Sequence, residues 1–160
     1  MRKTIVVVLM AALVLCFAMP AMGAGQKNIM NTIIDSGNYK DFAAAAGSTH
    51  LDTSLYTGGP YTILAPTDNA FNKLPAAPLR SLMDNRPALT GVFKNHIITG
   101  KYTTDDLVKM GTVSTLDGKR LAVTRASDGS VIIGGVKIVN PNIQASNGII
   151  QGIDGVLLPK

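Results

Sequence analysis

The sequence predicts an α+β fold, with helices concentrated early and a sheet completed late. Three observations predict it. Between residues 27 and 110 the apolar residues recur mostly at helical spacing. From Val113 onward they fall into short runs separated by Asp117-Gly118, Asp128-Gly129 and Gly134-Gly135, which are tight-turn dipeptides. One strand-like stretch, residues 61–65, stands alone among the helices. Segregated helices and strands point to α+β rather than to an alternating βαβ order.

That early strand ends in a corner, Tyr61-Thr62-Ile63-Leu64-Ala65-Pro66-Thr67-Asp68-Asn69-Ala70-Phe71. Its β-branched, aromatic and large aliphatic residues fit a pleated, half-buried surface. Pro66 has no N–H for a ladder, so the strand ends there or lies at an edge. Thr67 has the side chain of a helix N-cap, and Asp68 puts negative charge where the helix dipole favours it. Phe71 then supplies a core aromatic.

The chain before this corner opens with Arg2 and Lys3, followed by an uncharged apolar run over residues 5–18, a breaker at Pro20, and Ala21-Met22-Gly23. This is the pattern of a secretory signal, expected to span residues 1–23 and to leave one domain over residues 24–160. Two alternatives stay open. The uncharged run over residues 4–26 is long enough to be retained as a span. Cys16 could carry a lipid, although Leu15 and Phe17 are poor neighbours for that. With the signal removed, no stable membrane span is expected. The chain's only cysteine goes with it, so neither a disulfide nor thiol chemistry is available.

Residues 27–36 read as a helix with Ile29, Met30, Ile33 and Ile34 on one face, broken by Gly37-Asn38. Residues 39–46 read as a second, with Gly47 as its expected C-terminal cap. Residues 48–56 are ambiguous, and Thr57-Gly58-Gly59-Pro60 is a turn. After the corner, helices are expected over residues 68–73, 78–84 and 86–95, followed by an extended His96-Ile97-Ile98. Thr103 or Thr104 caps a short helix whose first turn carries Asp105 and Asp106. The strand runs are 113–116, 121–125, 130–133, 136–139, 142–145, 149–153 and 156–158.

The formal net charge is +5, from 15 Lys and Arg against ten acids, and every acid is Asp. Two of those cations leave with the signal, and the remaining excess is small and scattered. Nucleic acid is therefore not expected as a partner. Lys101, Lys109, Lys119, Arg120 and Arg125 are the main cations of the second half; they read as a solvated face unless the strands gather them into an anion-facing patch.

The chemistry-bearing residues are sparse. His50 and His96 are the two histidines, far apart, with neither Cys nor Glu in the remainder to complete a metal site or triad. His96 reads as a hydrogen-bonded structural histidine. Asp68 and Asp105-Asp106 read as helix-start charges, and Asp117-Gly118-Lys119 and Asp128-Gly129-Ser130 as turns without the ligand run of a calcium loop. There is no Gly-x-Ser-x-Gly elbow and no phosphate-binding glycine loop. No catalytic, cofactor-binding or metal residue is expected, and no cofactor.

Three landmarks occur together. The corner Tyr61 to Phe71 resembles the first signature of fasciclin-like domains. Asn95-His96-Ile97-Ile98 followed by Gly100-Lys101-Tyr102-Thr103 is similar to the family's central Tyr-His segment. Asn147-Gly148-Ile149-Ile150-Gln151-Gly152-Ile153-Asp154-Gly155-Val156-Leu157-Leu158-Pro159 resembles its second signature. The resemblance implies a wedge of about seven β-strands flanked by several short α-helices. It also implies a non-catalytic adhesion or matrix role, secreted to the periplasm, the cell surface or beyond. The partner would be a surface protein, a glycan or a matrix polymer. The structural motif residues are then Tyr61, Thr67, Asp68, Phe71, His96, Asn147, Gly148 and Pro159. Two segments are candidates for interaction, Asn95-His96 and Asn142-Ile143. The chain departs from the pattern at Asn95, where the family has Tyr, and at Gln151, where it often has His. It departs again at Asn142, where some animal members carry the Asp of an Asp-Ile integrin-binding pair. A different reading, a small-ligand or lipid carrier, would need an apolar crevice between helices and sheet.

Overall fold

The structure is a computed structural model and describes residues 25–158. The expected signal segment, Cys16 and Pro159 lie outside the described residues.

The elements run α1 (Ile29–Ser36), α2 (Lys40–Thr49), α3 (Leu51–Thr57), β1 (Tyr61–Pro66), α4 (Asp68–Asn72), α5 (Ala76–Asp84), α6 (Arg86–Asn95), β2 (Ile97–Thr99), α7 (Thr104–Met110), β3 (Thr112–Ser114), β4 (Arg120–Arg125), β5 (Val131–Ile133), β6 (Val136–Ala145) and β7 (Gly148–Ile153). The seven strands form one sheet in the order β2-β1-β7-β6-β5-β4-β3. A bridge between Ile98 and Thr115, with Leu116 N–H donating to Ile97 O at 2.7 Å, brings the two ends of that order together. The sheet is nearly closed, and the molecule is an α+β wedge with α1, α4 and α6 against β7, β1 and β2 and with α7 against β3 and β4.

Near closure gives the sheet an inside and an outside, and both are packed. On the outer side Ile63, Ala65 and Ile150 meet Ile29, Phe42, Leu55 and Phe93 from the helices. On the inner side Leu64 and Ile153 join Ile98, Leu107, Val123 and Ile133. A strand buried on both faces reads as a continuous apolar run rather than an alternating one. That is why residues 62–66 are all buried.

Pro66 is tolerated for a geometric reason. Leu64 N–H points towards β2, donating to His96 O at 2.8 Å. The nitrogen two residues on, at Pro66, faces the same side but lies past the end of β2, so no ladder bond is missed. On the other side β1 runs parallel to β7, from Tyr61 opposite Gly148 to Pro66 opposite Ile153.

Several sequence expectations are corrected. Gly47 does not cap α2; the helix continues to Thr49 and stops at His50, which takes the left-handed conformation at φ 57°. Of the ambiguous stretch 48–56, residues 48–49 finish α2 and residues 51–56 belong to α3. The runs 136–139 and 142–145 are one strand, β6, whose register shifts between Ile138 and Ile143 let Pro141 pass. Residues 156–158 form no strand, because polar side chains from α6 and its cap take the Leu157 backbone bonds instead.

Candidate functional site

The signature residues converge on three junctions. At the first, Thr67 caps α4, its Oγ1 accepting from Ala70 N–H at 3.3 Å. Asp68 Oδ1 accepts from Asp41 N–H at 3.1 Å, which ties the start of α4 to the start of α2. Phe71 is buried in the helix-side core, and the half-buried Tyr61 packs against the same cluster.

At the second, α6 ends and β2 begins. His96 Nδ1 donates to Val92 O at 2.7 Å, so Nε2 is the bare nitrogen, and it accepts from Leu157 N–H at 3.0 Å. Asn95 Nδ2 donates to Leu157 O at 3.1 Å. Two adjacent side chains thus hold both backbone groups of one residue in the C-terminal segment. His96 is 1% exposed and Asn95 3%. Burial pushes the His96 pKa down to about 4, opposed by the bond to Val92, so the ring is neutral at pH 7. Phe42 lies beside it, with ring centroids 6.2 Å apart and planes tilted by 59°, and His96 is closed off from solvent. Neither member of the Asn95-His96 segment is presented on the surface.

At the third, Asn147 leads into β7. Its Oδ1 accepts from Ile29 N–H at 2.9 Å, and its Nδ2 donates to Leu55 O at 2.7 Å and Gly58 O at 2.9 Å. One side chain therefore joins α1, α3 and the loop before β1. Gly148 beside it is required by contact: a Cβ there would lie 1.9 Å from Tyr61 O across the parallel pair.

The Asn142-Ile143 segment is on the β6 irregularity. Asn142 has φ 56°, a conformation that Asn tolerates better than most residues. Its Oδ1 accepts from Thr104 N–H at 2.9 Å and from Gln151 Nε2 at 3.0 Å, and its own N–H donates to Gln151 Oε1 at 2.8 Å. Although Asn142 is exposed, its side chain is engaged with the fold, and Ile143 packs on the helix-side core.

Sequence reasoning missed the partners in these networks. Gln151 is fully buried and answers Asn142; Tyr39 OH accepts from Asn140 Nδ2 at 3.0 Å and lies over Gly152, where a Cβ would come within 2.3 Å of it. Burial raises the Tyr39 pKa, opposed by Asn140. The adjacency of Gln151 and Gly152 in a strand was the available signal: a polar residue and a bare backbone side by side in an apolar run.

The remaining polar groups are local. Thr103 and Asp106 form a capping box on α7, and the Thr103 bonds lower the Asp106 pKa. Asp128 accepts from Ser130 and is paired with Lys137, which lowers its pKa. Arg125 is paired with Asp105 at 2.6 Å. Among the described residues no three His, Cys, Asp or Glu side chains come together as a metal-binding group. The space between Phe42, Phe93, His96 and Val156, where helices meet sheet, is about 10 Å³, so no crevice opens there. A cleft of about 490 Å³ lies elsewhere, between β4 and the C-terminal segment.

These junctions place the sequence signatures at the joints of a seven-stranded wedge, and a profile of the fasciclin domain matches residues 37–159. The chain belongs to the fasciclin domain family. Its fold is similar to that of the FAS1 domain pair of the insect cell adhesion molecule fasciclin I, with a TM-score of 0.75 at 19% identity over 86% of this chain and 52% of that one. Uncharacterized protein sll1735 of Synechocystis is 34% identical over 131 residues, 82% of this chain and 97% of the relative. Immunogenic protein MPB70 of Mycobacterium bovis is 32% identical over 120 residues, 73% of this chain and 61% of its own length. Human periostin is 31% identical over 133 residues, 82% of this chain but 16% of its own length, so this fasciclin domain corresponds to a small part of that protein.

Proposed function

We propose that this fasciclin domain is a non-catalytic binding module for cell adhesion or for attachment to matrix or envelope. It works outside the cytoplasm after removal of residues 1–23, with residues 24–160 acting as one domain. Its partner is a surface protein, a glycan or a matrix polymer. The observation that carries this reading is where the signature polar groups point. Asn95, His96 and Asn147 are turned inward and spent on backbone hydrogen bonds. Both ring nitrogens of the neutral, enclosed His96 are taken by the backbone, Nδ1 by Val92 O and Nε2 by Leu157 N–H. Such residues build a scaffold, and binding then falls to exposed loops and strand surfaces. Family membership supports the same reading, as does the likeness in fold to a cell adhesion molecule.

The test pairs a deletion strain with the purified domain. Reduced surface attachment in the strain, restored by the wild-type gene, together with a binder in a glycan and matrix-protein array, is the expected result. Unchanged attachment with no binder in the array would overturn the proposal. Intact mass of the exported protein tests the processing: a mass starting near residue 24 is expected, and a retained Met1 or a lipid on Cys16 contradicts it.

A further inference from the structure

The cleft between β4 and the C-terminal segment has features that the scaffold does not use. Its volume, about 490 Å³, falls within the range of about 300–1,000 Å³ usual for small-molecule sites. Lys119 and Arg120 line it together with aliphatic side chains, among them Leu121, Val136, Leu157 and Leu158. Its lining thus combines two cations with aliphatic surface.

Four observations say that this is more than a gap. None of the ion pairs among the described residues includes Lys119 or Arg120, and neighbouring Asp117 is not paired with either. Cations left without counter-charge beside an apolar surface attract an anion that carries apolar area of its own. Leu158 is 42% exposed on the cleft, leaving apolar surface uncovered. Gly134, at φ 58°, lines the wall with bare backbone; a Cβ there would stand 2.9 Å from Leu157 Cδ2 and 3.2 Å from Leu121 Cδ2. The two leucines of the trough therefore keep their positions because residue 134 has no side chain. Finally, Asn95 lines the same cleft, and its Oδ1 is the one buried side-chain polar atom without a hydrogen-bond partner among the described residues.

We propose that this cleft binds a single-chain anionic amphiphile, a fatty-acid-like carboxylate whose head group meets Lys119 and Arg120 and whose chain lies along Leu121, Leu157 and Leu158. The charge follows from two cations that no acid among the described residues pairs with. The acyl body follows from the aliphatic lining, which offers a sugar ring Asn95 as its one uncharged polar side chain. A free molecule is favoured over a bilayer. The surface is concave, and Leu158 alone of its lining is among the exposed large hydrophobics. Insertion into a membrane needs several protruding apolar side chains. The inference does not depend on the adhesion reading, since it concerns the isolated domain and a small ligand.

The test is a calorimetric titration of the purified domain with dodecanoate below its micelle concentration. Expected is saturable binding at one site, weakened by about tenfold or more in the double variant K119E/R120E and again in L158D. Arg80→Glu on α5, which is not among the lining residues, is expected to bind as the wild type does. Both test variants change exposed or half-buried side chains outside the two cores, and an unchanged thermal melt verifies their fold. The absence of saturable binding would overturn the proposal. So would equal weakening by Arg80→Glu, equal affinity for the neutral-headed dodecyl maltoside, or co-sedimentation with phosphatidylglycerol vesicles in place of binding to free dodecanoate.

Discussion

Acid should loosen this domain through His96 before it acts on any carboxylate. The ring is 1% exposed, with Nδ1 donating to Val92 O and Nε2 accepting from Leu157 N–H. A proton on Nε2 would set two donors against each other and bury a charge. The folded pKa is therefore about 4, against an ordinary value of 6.5 in the unfolded chain. A histidine with a depressed folded pKa makes the unfolded state the better proton binder between those two values. Stability is full above about pH 6.5, falls as pH drops through the window, and levels off below the folded pKa. Linkage gives a loss of about 2 kcal/mol between pH 7 and 5, rising to about 3 kcal/mol by pH 4. Asp106 and Asp128 have depressed pKa values; their stabilisation is present above the ordinary carboxylate range and is lost only as pH falls below it. Urea unfolding at pH 7 and pH 5 measures the effect, with His96→Gln as reference so that every other group cancels. The wild type is expected to lose about 2 kcal/mol more than the variant across that interval. Equal losses in the two proteins would mean that His96 is not held as a buried neutral acceptor, and the account of the Leu157 clamp would fail with it.

Other expected outcomes concern the remaining junctions. Thr67→Ala removes the α4 cap and should cost about 1 kcal/mol, while Phe71→Ala empties a core position and should cost about 3–5 kcal/mol, both read from thermal or urea unfolding. Asn147→Asp keeps the acceptor for Ile29 N–H but sets a carboxylate against Leu55 O and Gly58 O; a loss of about 3 kcal/mol or more is expected at pH 7. That loss should shrink as pH falls, because a protonated carboxyl can donate again, and a pH-independent loss would contradict the assigned bonds. Gly148→Ala places a methyl group into Tyr61 O and is expected to leave no cooperative unfolding transition, whereas a wild-type-like melt would show that the parallel pair is more open than described.

The parts of the fold legible in the sequence are those written locally. The corner at Pro66-Thr67-Asp68 specifies its own cap, and α6 keeps the predicted bounds because Asn85 caps it and Pro87 suits its first turn. The turn dipeptides separate β3, β4, β5 and β6 correctly for the same reason. The failures are written at long range. Val156, Leu157 and Leu158 form an apolar run that looks like a strand until Asn95 and His96, some sixty residues earlier, take both backbone groups of Leu157. Gly47 looks like a cap, yet nothing lies within 4 Å of its Cβ position and the helix runs through it. His50 takes the left-handed turn instead, a conformation in which histidine is enriched. Asn95 and His96 stand as an interaction segment only through the family resemblance, whereas the residues themselves read His96 as a hydrogen-bonded structural histidine. Their burial is decided by the C-terminal segment folding over them.

The parallel pair of β1 and β7 also fixes when this protein can fold. The strand at Tyr61 takes its main partner from a segment that begins only at Gly148. Until that segment is available, β1 has only the three-residue β2 beside it, and the helix-side core lacks Ile150. Such distant closure makes folding slow and late. Until Gly148 and the residues after it have been made, β1 therefore lacks its longest partner, and neither face of the wedge can finish packing.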